Sequence, residues 1–199
     1  MQRIEQILRF WFGDRPDDGE AVRRHVKLWF TARAETDQYV REHFEADLKQ
    51  ASAGSLTEWE QTPRGRLALI VLSDQFPRNI YRGTARAFAY DSHAQRLCLD
   101  GQACGHDKML RAIERSIFYM PLQHAEELAL QEQAVGCFSE LVEEAPSALK
   151  DVFVVFRDYA VAHRDIVARF GRFPHRNAIL GRVSSPEEIA FLQQPGSSF

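Results

Sequence analysis

Pro63-Arg64-Gly65-Arg66-Leu67-Ala68-Leu69-Ile70-Val71-Leu72-Ser73-Asp74-Gln75-Phe76-Pro77-Arg78-Asn79-Ile80-Tyr81-Arg82-Gly83 is the stretch on which the fold turns. A proline opens it, and the fixed φ of proline suits the first turn of a helix. Leu67, Ile70 and Val71 then recur at helical rather than alternating spacing and carry the helix to Phe76. Pro77 predicts its interruption, because proline lacks an N–H and collides with the preceding turn. Asp74 falls on the same face as Leu67, Ile70 and Val71, so the period that buries those residues also points a carboxylate inward. Such a group must be paired or become neutral. Arg78 stands at the favoured i+4 position for a helix ion pair, with Arg82 one turn further on. One reading is a salt bridge that stiffens a proline-kinked corner. The other leaves donors of Arg78 and Arg82 to grip a carboxylate or phosphate, with Asn79 adding an amide contact.

The same period extends in both directions. Ile4, Ile7, Leu8, Trp11 and Phe12 form a first stripe closed by Gly13, and Val22, Val26, Trp29 and Phe30 form a second. Tyr39, Val40, Phe44 and Leu48 make a third, in a highly charged stretch ended by Gly54. Downstream, helices are predicted over Ala85–Leu99, Met109–Phe118, Leu122–Glu144 after the break at Pro121, and from Pro146 to Phe170, stopped by Gly171 and Pro174. Ser185-Pro186-Glu187-Glu188 is a capping box that starts the last helix. No alternating strand pattern and no hairpin turn of the Asn-Gly type is present. The expected fold is all-α, with successive antiparallel helices forming either a stacked α-α superhelix or a compact bundle.

With 199 residues, 45% of them hydrophobic, one domain over 1–199 is expected to bury about 70% of its unfolded surface without disulfides or metal. A net charge of -3 argues against nucleic acid as a partner. Cys98, Cys104 and Cys137 match neither a zinc framework nor a CxxC pair, and read as core residues of a reducing compartment. No stretch is apolar and long enough for a signal sequence or a membrane span, so a cytoplasmic location without membrane association is expected.

Two further constellations carry polar groups onto apolar faces. His124 and Gln131 project onto the face of Leu128, Val135, Phe138 and Val142, with Glu127 at its margin and Glu126 nearly opposite. A histidine there is either a satisfied interior residue or, with a glutamate fixing its tautomer, a general acid or base. His163 lies on the aromatic stripe of its helix, and Arg172, His175, Arg176 and Asn177 follow in a turn bounded by glycine and proline. That turn either pairs with the acidic Glu126–Glu144 stretch or binds an anion. His124, Glu127, His163 and His175 are metal-ligand types, yet they form no HExxH or ExxH spacing, so no metal is expected. Walker A, GxGxxG and GxSxG motifs are absent, and no cofactor is expected.

Phe10-Trp11-Phe12-Gly13, Asp74-Gln75-Phe76-Pro77-Arg78-Asn79 with Tyr81-Arg82-Gly83, His124-Ala125-Glu126, and Gly171-Arg172-Phe173-Pro174-His175-Arg176-Asn177 with Leu180-Gly181-Arg182 resemble the bacterial family catalogued as domain of unknown function 924. The resemblance spans nearly the whole chain and implies a fold similar to tetratricopeptide-like α-α superhelices. It implies no established reaction. The family's His-Ser-Glu stands here as His124-Ala125-Glu126, so a hydroxyl nucleophile at that position is ruled out, and weight moves to Glu126 where periodicity favours Glu127.

Two functional expectations follow. In the first, Asp74, Arg78, Asn79, Arg82, Gln131, His163, Arg172, His175 and Arg176 gather round a small anionic ligand, with His124 and Glu126 as the general acid or base. In the second, the chain is a scaffold that binds a peptide or protein partner in a groove, and these polar residues are structural pairs.

Overall fold

The computed structural model describes residues 1–14, 19, 22, 25, 28, 29, 31 and 33–198. All regular structure among them is helical, and no strand occurs. Helix α1 (Gln2–Phe12) buries Ile4, Ile7, Leu8, Trp11 and Phe12, as its stripe predicts. Gly13 follows at φ 83, a region that favours glycine, and returns its N–H to the Arg9 carbonyl. Val22 and Trp29 of the second stripe occupy helical positions, whereas Val26 and Phe30 lie outside the described residues. Helix α2 (Ala34–Ser52) buries Val40, Phe44, Leu48 and Ala51.

Thr62 caps α3 (Pro63–Ile70) by accepting the Gly65 N–H at 3.1 Å. The interruption assigned to Pro77 comes earlier and takes another form. Val71–Gln75 makes a π-helical turn in which the Phe76 N–H reaches back to Val71, and α4 (Phe76–Ile80) then continues with Pro77 in its first turn. There the missing N–H of proline costs little. Every residue from Gly65 to Pro77 is buried, the mark of a central helix. Around it pack α1, α2, α5 (Asp91–Ala103) and α6 (Ala112–Gln123).

The helix expected over Ala85–Leu99 is a short 3-10 turn, Ala85–Phe88, followed by α5 from Asp91. Pro121 does not break the chain as predicted but lies inside α6, which is buried on all sides from Ile113 to Gln123. Packing on every face offsets the roughly 3 kcal/mol cost of an interior proline. The break comes at 124–127, and α7 (Leu128–Glu144) starts after it rather than at Leu122. Consecutive α6, α7 and α8 (Lys150–Phe170) pack side by side, with a 3-10 turn at Ser147–Leu149 before α8. Gly171, at φ 66, ends α8. The capping box forms as expected at the start of α9 (Pro186–Leu192), with Ser185 Oγ accepting from the Glu188 N–H at 3.2 Å and Glu188 Oε2 from the Ser185 N–H at 2.7 Å.

One continuous core runs from Ile4 to Ala160, and a small second cluster of Ile166, Val167 and Phe173 roots the segment after α8. Among the described residues no helix is long and apolar enough to cross a membrane.

Candidate functional site

The two helices buried on every side, α3 with its π turn and α6, deliver their polar residues to one place. The wider turn sets Ser73, Asp74 and Gln75 inward in succession, all at 7% exposure or less. Asp74 Oδ1 accepts from His124 Nδ1 at 2.8 Å, and His124 is the residue that closes the carboxyl end of α6. Gln75 donates to Asp74 Oδ2, and Arg78 Nη1 lies 3.4 Å from Oδ1. Burial alone would raise the Asp74 carboxyl, but Arg78, His124 and Gln75 together hold it below the ordinary carboxylate range. For His124, burial and the Arg78 charge outweigh Asp74 and push the imidazole below its ordinary value. The ring is therefore neutral at pH 7. Its proton sits on Nδ1, facing the carboxylate, and Nε2 keeps a lone pair.

His124 forms part of the wall of a cleft of about 350 Å³ whose other walls are the 3-10 turn Ala85–Phe88, the first turn of α5, Glu126, and the segment carrying Arg176 and Leu180. Asp91, at the head of α5, accepts from Arg78 Nη1 and Nη2 at 3.0 and 3.1 Å and from Arg176 Nη1 at 3.4 Å. The Arg176 guanidinium lies between the rings of Phe88 and Phe173, at 4.6 and 4.5 Å from their centroids. Its side chain is 7% exposed, and its Nε is buried without a hydrogen-bond partner. Burial and the neighbouring Arg78 pull Arg176 down to about 10, which leaves it charged at neutral pH.

Other residues expected at the site have structural duties. Glu126 does not pair with His124. It accepts from Arg182 Nη1 and Nη2 at 2.5 and 2.9 Å and from the Phe173 N–H at 2.7 Å, so it clamps the segment after α8 onto the end of α6. Although burial opposes it, these donors lower its carboxyl pKa. Glu127 is exposed at the N-cap of α7. Asn79 and Arg82 both turn to Asp37, at 2.8 and 2.6 Å. Arg172 binds Glu188 at 2.7 and 2.8 Å. Gln131 donates to the carbonyls of Gln123 and Ala125 at 2.6 and 2.7 Å, satisfying the acceptors that α6 leaves at its end. His163 stands behind His124, with ring centroids 6.3 Å apart, and its Nδ1 donates to the Tyr159 carbonyl at 2.7 Å. Burial, followed by His124, drives its imidazole down to about 3, and burial with Arg176 drives His175 to about 4.

Of the expected set, then, Asp74, Arg78, His124, Glu126 and Arg176 meet around the cleft, with His163 behind it. Asp91 and Phe88 were missed. By sequence the helix that holds both starts at Ala85, which leaves Asp91 as one acid within it and Phe88 as one of its apolar residues. A second depression of about 340 Å³ is lined by Glu5, Arg9, Arg64, Arg111 and Glu114 among others. Its carboxylates are committed, since Arg64 bonds both Glu5 and Glu114.

A family model described as bacterial protein of unknown function (DUF924) matches residues 7–196. The chain belongs to this family. A solved structure of a protein of unknown function from Agrobacterium tumefaciens is 33% identical, with a TM-score of 0.82 over 96% of this chain and 97% of that one. No curated protein matches.

In this DUF924 member, a neutral imidazole oriented by a buried carboxylate is equipped to take a proton at Nε2. Arg176 supplies fixed positive charge at the same cleft. Among the described residues, no group of three or more His, Cys, Asp or Glu is placed to hold a metal ion.

Proposed function

We propose that the chain binds a small anionic molecule in the cleft at Arg176 and that His124 acts on it, or on a water beside it, as a general base. The observation that carries this reading is the Asp74–His124 pair at 2.8 Å, set at a cleft that also holds a buried guanidinium with an unused donor. The volume suits a small ligand, at the low end of the roughly 300–1,000 Å³ of small-molecule sites. Asp74 fixes the tautomer, and Arg78 holds Asp74 ionised.

Thermal unfolding against a panel of carboxylates and phosphates tests the reading. An anion at a hundred times its dissociation constant should add about 2.7 kcal/mol of stability, seen as a raised Tm. The shift should vanish in Arg176→Met, which keeps an apolar stem between Phe88 and Phe173, and persist in His124→Gln. A panel without any shift, or a shift that survives Arg176→Met, overturns the reading.

A further inference from the structure

Resting on that reading of the cleft, we infer that the ligand is a carboxylate with a single negative charge and a short apolar body, its charged end seated between the amino terminus of α5 and Arg176. Three independent features converge on it.

The first is the end of α5, a helix of 13 residues. Tyr90 at its N-cap makes no side-chain capping bond, and the first backbone bond of the turn runs from the Ala94 N–H to the Tyr90 carbonyl at 3.0 Å. The amides of Asp91, Ser92 and His93 precede the first intrahelical donor and have no acceptor within the helix. Asp91 and Ser92 belong to the cleft wall. Both Asp91 oxygens are engaged by Arg78, at 3.0 and 3.1 Å, so the carboxylate is drawn toward α4. The second feature is Arg176, which lines the same cleft and, through the 3.4 Å contact of Nη1 with Asp91, holds its guanidinium at the head of α5. A helix amino terminus and a guanidinium that line one cleft are the usual elements of a cradle for an oxyanion.

The third is the balance of charge, which decides between anions. Arg78, Arg176 and Arg182 face Asp74, Asp91 and Glu126, and His124 and His175 have their pKa values lowered by burial. The fixed charges cancel, and the helix end adds about half a positive charge. That field accommodates one negative charge. A phosphate dianion would bring a second, close to Asp91, with nothing to offset it. Ala85, Phe88, Ala89 and Leu180 complete the cleft and offer an apolar body its surface.

Calorimetric titration of the full chain with acetate, butyrate, hexanoate, inorganic phosphate and 1-butanol tests the assignment. Carboxylate affinity should rise with chain length, phosphate should bind at least about tenfold more weakly than butyrate, and 1-butanol should not bind. Ser92→Pro deletes one first-turn amide, at a helix end where proline is tolerated, and should weaken butyrate about tenfold, or ~1.4 kcal/mol. Ser92→Ala should leave it unchanged, with the circular dichroism of both variants like the parent. Phosphate binding as tightly as butyrate, no carboxylate binding, or an undiminished affinity in a folded Ser92→Pro variant overturns the inference. Should Ser92→Pro not fold, the ligand order in the parent decides. Anion binding that Arg176→Met abolishes but Ser92→Pro leaves intact would sink the seat on α5 alone, whereas binding indifferent to Arg176→Met would sink the reading of the cleft as well.

Discussion

A histidine that donates its Nδ1–H to a buried carboxylate has one nitrogen left for chemistry, and His124 is part of a cleft wall. In the proposed reading Asp74 positions the base rather than touching substrate. Asp74→Asn should cut turnover by about 10²–10⁴-fold, the usual contribution of a positioned base. It should also lower the His124 pKa further, because the carboxylate that raises it is gone, and an NMR titration of the ring reads that shift directly. His163 makes a stability prediction. Its folded value of about 3 lies below the roughly 6.5 of a free histidine, so below pH 6.5 the unfolded chain takes up a proton that the folded chain refuses. The stabilisation is complete above pH 6.5 and is lost as pH falls toward 3, at about 1.4 kcal/mol per pH unit. Urea unfolding of His163→Gln between pH 6 and 4 should show a slope shallower by about that amount, and an unchanged slope would refute the assignment.

At the scale of the element, the π turn and the all-round burial of α3 and α6 explain why the site lies where it does. Gly65 shows how tightly α3 is seated. A Cβ there would stand 2.2 Å from the Trp59 carbonyl oxygen and 2.8 Å from Thr62 Oγ1. Glycine to alanine in a helix normally stabilises by up to ~1 kcal/mol, but Gly65→Ala should instead cost about 1–3 kcal/mol and lower the Tm. Periodicity made the inward Asp74 legible in the sequence but set His124 on the helix of Leu128, whereas His124 closes α6 before that helix begins. Their pairing was not legible, because the two residues are 50 positions apart and meet only through a π turn that shifts the phase of everything after Ile70. The prolines misled in the same way. Pro77 and Pro121 carry a local signal to stop, but Pro77 falls in the first turn of α4, where it costs little, and tertiary packing overrides Pro121 in a helix buried on every side.

Over the whole molecule, the segment after α8 supplies Arg176 and Leu180 to a cleft otherwise built from the 3-10 turn Ala85–Phe88, the first turn of α5 and the residues that close α6, and Glu126 fastens that segment down. Glu126→Gln should loosen the clamp and speed hydrogen exchange at the Phe173 amide, while exchange within α3 and α6 stays slow. Equal rates in parent and variant would remove the clamp from the account. The all-α class was plain from periodicity, whereas the meeting of the His124 and Arg176 motifs was only one of two expectations that the sequence supported. The division of labour among the arginines was not legible, since each carboxylate that claims one, Asp37 for Arg82 and Glu188 for Arg172, is remote in sequence or anonymous in pattern. ¹⁵N NMR of His124 and Arg176 during a butyrate titration at pH 7 tests at once the proposed neutral base and the guanidinium whose Nε has no hydrogen-bond partner. An Nδ1-protonated neutral ring with a bare Nε2 is expected, together with an Arg176 Nε–H resonance that moves saturably. A ring protonated at Nε2, or an Arg176 Nε–H that does not respond, would contradict the proposed reading.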